Sequence, residues 1–87
     1  MKFYDTLTSI TERFSIGIEL ETGKPYVSIP VSSRLVDYEE YYRIDRVAYD
    51  LYMSDPTAAL EFVKLCRNRK VDYLLIFAPG TDRGEAK

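Results

Sequence analysis

Histidine and tryptophan are absent, and cysteine occurs once, as Cys66. Without histidine there is no Ser-His-Asp or Cys-His activation of a nucleophile. The commonest general base near neutral pH and most zinc sites go with it. A single cysteine forms no internal disulfide, which fits a reducing compartment and argues against a disulfide-stapled secreted miniprotein. No stretch approaches the about 18 apolar residues that a membrane crossing needs. The opening MKFYDTLTSITERF carries Asp5, Glu12 and Arg13 and has no continuous apolar run, so it does not read as a signal peptide. Nor is there a basic excess: 12 Lys and Arg stand against 14 Asp and Glu, so no general positive field draws nucleic acid. The expectation is a cytoplasmic monomer or small homo-oligomer with no cofactor, no metal site, no direct nucleic-acid contact and no membrane contact.

What is present is the composition of a globular chain. The 87 residues are 46% apolar and 30% charged, enough for one domain and too few for two. Such a chain buries roughly 60–65% of its unfolded surface, which allows it to fold alone with modest stability.

The apolar periodicity changes several times along the chain. Phe3, Leu7, Ile10 and Phe14 recur at helical spacing, so residues 2–14 read as a helix that depends on docking that stripe. Residues 15–21 switch to period two, with Ile16, Ile18 and Leu20 on one face and Gly17, Glu19 and Glu21 on the other. Gly23 turns the chain into a return strand over Pro25–Ser32. There Val27, Ile29 and Val31 point inward, Tyr26 and Ser28 point outward, and Pro30 marks an edge, a bulge or an early end to pairing. Residues 37–44 fit a strand or a helix. Their tyrosines favour a strand, and Asp45 then caps a helix over 46–53. Asp55-Pro56 opens a further helix that runs to about Asn68, with Ala59, Phe62, Val63 and Cys66 inside. Residues 71–78, apolar on both faces, read as a central last strand, and 79–87 as a loose polar tail. The expected fold is a small single α+β domain, ordered αβββααβ, with a mostly antiparallel sheet packed by helices.

Chemistry concentrates in residues 37–55. That stretch holds five of the eight tyrosines and six carboxylates against Arg43 and Arg46. Other constellations have plainer readings. Cys66 lies on the inner stripe of a helix, where a thiol acts as a small hydrophobe. Glu19 and Glu21 share a strand face near Lys24, a pattern that a metal-dependent nuclease or other phosphate-active enzyme could use, but also that of a solvated sheet face. Gly80-Thr81-Asp82-Arg83-Gly84 follows an apolar run without the spacing of a phosphate loop. The bases Lys64, Arg67, Arg69 and Lys70 close a helix, where they compensate its dipole.

The tyrosine-rich stretch favours binding over catalysis. Tyrosine gives a large rigid contact area with a hydrogen-bonding tip, and interleaved carboxylates attract a basic partner. Tyr41 and Tyr42 must face opposite ways on a strand, which leaves Glu39, Tyr41 and Arg43 in a presenting row. Glu19, Glu21 and Tyr26 would extend that row if their strands are neighbours, with Tyr49 and Asp50 at its rim.

The stretches DYEEYYRI (37–44) and FVKLCRNRKVDYLLIFAPGTDRG (62–84) resemble small bacterial immunity proteins of contact-dependent growth inhibition systems. The resemblance is one of overall character and carries over no individual residue. It implies a non-enzymatic antitoxin that covers a cognate toxin domain, in many cases a basic nuclease. A regulatory or structural subunit of a larger assembly is the other non-enzymatic reading.

Overall fold

The structure, a computed structural model, describes residues 1–80 and 83–87. Four strands come first: β1 (Phe3–Ser9), β2 (Phe14–Glu19), β3 (Pro25–Ser32) and β4 (Asp37–Arg43). They form an antiparallel meander in the spatial order β1-β2-β3-β4. Helix α1 (Arg46–Ser54), a 3-10 turn (Pro56–Ala59) and helix α2 (Leu60–Arg67) follow, then a 3-10 turn at Asp72–Leu74. A short β5 (Glu85–Ala86) returns to pair with β3. The class is α+β as expected, but four strands precede the helices.

Two elements depart from the sequence reading. Residues 2–14 are not a helix; β1 and β2 form a hairpin whose loop contains Arg13 at φ 57°. The apparent helical stripe is split: Phe14 is buried and Ile10 is 85% exposed. Thr6, Thr8, Phe3 and Tyr4 suit a pleated half-covered surface better than a helix, and pairing with β2 decides the matter. Residues 71–78 are not a central strand. Val71 and Leu75 are buried one helical turn apart, and a single bridge from Leu75 to Tyr42, with Ile76 N–H on Tyr41 O (2.9 Å), takes the place of a ladder along the outer edge of β4.

The remaining elements follow their local chemistry. Asp45 caps α1 by accepting from Ala48 N–H at 2.8 Å. Pro56 starts the 3-10 turn rather than the α-helix, and Asp55 makes no side-chain cap there. Pro30 does mark the early end of pairing. β2 stops opposite Ser28, and Pro30 offers its carbonyl on that same side to Lys87 N–H (3.1 Å). The missing N–H therefore faces a lane that β2 has left.

The pleat divides the sheet into two unlike faces. Phe14, Ile16, Val27, Ile29, Val31 and Tyr42 pack under Ala59, Val63 and Cys66, which makes the helix-covered core. The opposite face carries Asp5, Ser15, Gly17, Glu19, Tyr26, Ser28, Glu39, Tyr41 and Arg43. Among the described residues no helix covers it, yet Tyr26 there is fully buried. Gly17 is the cause. It stands between Asp5 and Tyr26 in the cross-strand register, and a Cβ on it would lie 2.6 Å from Tyr26 Cζ and collide with Tyr4 O. The tyrosine ring occupies the space that a side chain at position 17 would take.

Gly17→Ala is expected to lower stability by about 1–3 kcal/mol in urea denaturation, since overpacking must displace the Tyr26 ring or the β1 backbone. An unchanged midpoint would mean that the ring moves aside freely.

Candidate functional site

The uncovered face is built in rows across the strands. Asp5, Gly17, Tyr26 and Arg43 stand opposite one another, as do Thr8, Ser15, Ser28 and Tyr41. Glu39 lies beyond them, opposite Pro30. Tyr26 reaches across Gly17 and donates its hydroxyl to Asp5 Oδ1 at 2.5 Å. Thr8 and Ser15 hydroxyls are 3.0 Å apart.

Aromatic rings gather above Tyr26. Phe3 stacks on Tyr41 at 3.8 Å between centroids and meets Tyr26 edge-on at 5.2 Å. Tyr26 and Tyr41 are edge-to-face at 5.1 Å, and Phe77 adds a fourth ring 6.0 Å from Phe3. The result is a rigid aromatic floor with carboxylates at its margin.

Electrostatics set this margin apart. Burial pushes the Glu39 carboxyl above its ordinary value, the Ser28 hydroxyl pulls it partly back, and the Asp5 charge raises it further. Burial also raises the Tyr41 phenol, helped by Glu39 and then Asp5. Tyr26 is raised by burial first and then by its hydrogen bond to Asp5. The Asp5 charge thus bears on Glu39, and among the described residues neither carboxylate has an ion-pair partner. The arrangement sets two carboxylates and tyrosine edges side by side on one face.

The expected site residues separate on the structure. Tyr26, Glu39, Tyr41 and Arg43 do share one face on neighbouring strands. Tyr26, read from the sequence as an outward contact, is instead the buried floor. Arg43 plays a structural part, since its guanidinium donates to Tyr73 O (2.9 Å) and Leu75 O (3.3 Å) and so ties the 3-10 turn to β4.

Glu19, expected in the open, is buried. Its two oxygens accept from Thr22 Oγ1 (2.6 Å), Thr22 N–H, Glu21 N–H and Lys2 N–H, closing the β2–β3 turn. These bonds, the Thr22 hydroxyl foremost, hold its pKa down at about 2. A carboxylate with four donors is not free to work with Glu21, which is exposed beside the Met1 amino group (3.2 Å). Tyr49 and Asp50 lie on the helix side: Tyr49 Oη is 3.0 Å from Thr6 Oγ1, and Asp50 pairs with Arg46 at 3.2 Å. They are not a rim of the open face.

Two features escape the sequence reading. Asp5 belongs to the face but falls inside the expected helix. Residues 83–87, expected as a loose tail, dock onto the sheet. Arg83 forks between Glu40 (2.8 and 3.1 Å) and Asp72 (2.7 and 2.9 Å), and Tyr42 donates to Glu40 at 2.9 Å. Glu40 on the core side of β4 is the available signal, because a buried carboxylate requires a cation. Thr81 and Asp82 lie outside the described residues, so the Gly80–Gly84 phosphate-loop pattern is not described in full. Cys66 is buried, and burial pushes its thiol up to about 12, the setting of a packing residue.

Comparison of the chain with protein-family models, curated proteins and solved structures finds no match. Among the described residues no helix is long and apolar enough to cross a membrane, and no group of three or more acidic or cysteine side chains is placed to hold a metal ion.

The Glu19 turn has a definite pH signature. Its folded pKa, depressed from 4.5 to about 2, contributes stability above pH 4.5 that is lost as pH falls through about 2. The gap in urea midpoint between the wild type and Glu19→Gln is therefore expected to be widest at neutral pH and to close on acidification through that range. A gap independent of pH would mean that Glu19 is not held as described.

Proposed function

We propose that the chain is a stoichiometric protein inhibitor of the immunity or antitoxin kind, acting in the cytoplasm. Its uncovered sheet face covers a basic toxin domain. The observation that carries this reading is the pairing of an aromatic floor with Asp5 and Glu39, two coupled carboxylates that have no cation of their own among the described residues. A surface of this kind repels itself until a positive partner arrives. Charge complementarity then speeds encounter and rejects wrong partners, while the rigid rings supply contact area.

Glu39, Tyr41 and Asp5 are the contact residues in this reading. Tyr26 shapes the floor beneath them, and Arg43 fixes the neighbouring turn. The sequence stretches similar to contact-dependent inhibition immunity proteins support the same class of partner.

The test is to co-express the chain with the product of the adjacent reading frame and to measure growth rescue and binding. Asp5→Asn with Glu39→Gln is expected to slow association about tenfold at low salt, with the difference shrinking as salt rises. Tyr41→Ala is expected to weaken binding by about 2 kcal/mol, with urea denaturation run alongside to show that the fold survives. Rescue and affinity unchanged by all three substitutions would remove this face from the interface.

A further inference from the structure

Residues 83–87 fill a gap that the meander leaves. β3 is eight residues long, but β2 covers its flank only from Pro25 to Ser28. β5 takes up the same side beyond, with Ala86 opposite Val31 and Glu85 opposite Ser32. The seat is close: a Cβ on Gly84 would lie 2.5 Å from the Ser32 carbonyl carbon. Gly84 N–H donates to Tyr38 Oη at 2.8 Å, and Arg69 donates to Gly84 O at 3.1 Å. Exposed ion pairs, Lys87 with Asp37 and Arg69 with Glu85, flank it and are worth little in water.

One side chain holds this segment from inside. Arg83 is 12% exposed, and all four of its hydrogen bonds end on carboxylate oxygens. Glu40 comes from β4, with the Tyr42 hydroxyl on its other side, and Asp72 comes from the 3-10 turn. Arg69 is the remaining charge near Asp72. With two ladder residues and no large apolar side chain of its own, the segment has little else to hold it against chain entropy.

We propose that residues 83–87 are an electrostatic latch, opening as one unit in acid while the four-stranded sheet stays folded. Protonation of Asp72 turns its charge-assisted bonds to Arg83 into ordinary ones and takes from the guanidinium, in its low-water seat, one of the two carboxylates that balance it. The direction follows from Asp72. Its hydrogen bonds to Arg83, and then the Arg83 charge, lower its pKa in the folded state, so the latch holds above the ordinary carboxylate range and is lost as pH falls through the depressed value. Opening uncovers the backbone of Val31 and Ser32 on the side that β2 leaves vacant.

Amide hydrogen exchange of the whole chain, expressed as protection relative to an unstructured peptide, tests this. Between neutral pH and about pH 3, protection at Gly84, Ala86 and Lys87 is expected to fall at least about tenfold while Val27 and Ile29 keep theirs. Arg83→Met is expected to open the latch already at neutral pH. The milder Asp72→Asn, at a half-exposed position, is expected to move opening to higher pH. Protection lost only together with that of Val27 and Ile29, or retained at neutral pH in Arg83→Met and unshifted in Asp72→Asn, overturns the proposal.

Discussion

Tyr26 lying across Gly17 is the contact on which the open side of the molecule depends. A four-stranded sheet covered by helices on one side must dispose of its other side. Here the middle of that side is sealed by one ring, which fits because the neighbouring strand has no side chain at that row. The hydroxyl then lands on Asp5, and the stacked pair of Phe3 and Tyr41 meets the ring edge-to-face. Packing, charge placement and the candidate binding surface thus share one steric condition. A glycine with φ in the ordinary range would not be noticed for its backbone; it matters for the volume it leaves.

The opposite side carries its own electrostatic demand. β4 alternates, so the choice that puts Glu39 and Tyr41 in the open puts Glu40 into the core side next to Tyr42. A buried carboxylate persists only with a counter-charge and filled lone pairs. Arg83 supplies both and, in doing so, recruits the C-terminal segment into the sheet. The acidic presenting face and the docked tail are two results of the same run of alternating residues.

Some of this is legible in the sequence. The strand over Pro25–Ser32 coincides with β3, and the reading of 37–44 as a strand, with Asp45 as the next cap, matches β4 and α1. Both rest on signals that act locally: period-two alternation, a turn glycine and a capping carboxylate. The readings that fail need a partner distant in the chain. Residues 2–14 carry an accidental helical stripe, and only β2 decides that Phe3 and Leu7 belong to opposite faces. Val71 to Phe77 is mostly apolar, yet the end of α2, with Arg69 at φ 57°, sets a turn where a strand was expected. The candidate site is half legible for the same reason. Glu39 and Tyr41 follow from alternation, whereas the loss of Glu19 to a turn and the gain of Asp5 follow from tertiary pairing.

A binding role through the open face separates from a general acidic attraction because the chain carries its own controls. Asp45, Asp50, Asp55 and Glu61 are carboxylates on the helix side, away from the aromatic floor. The direct measurement is a chemical-shift map of the isotopically labelled protein titrated with a deca-arginine peptide at moderate salt. The expected result is a connected set of shifts at Asp5, Ser28, Glu39 and Tyr41, with the helix-side acids nearly silent. Shifts spread evenly over every exposed carboxylate, or centred on α1, would contradict the assignment of the open face as the binding surface.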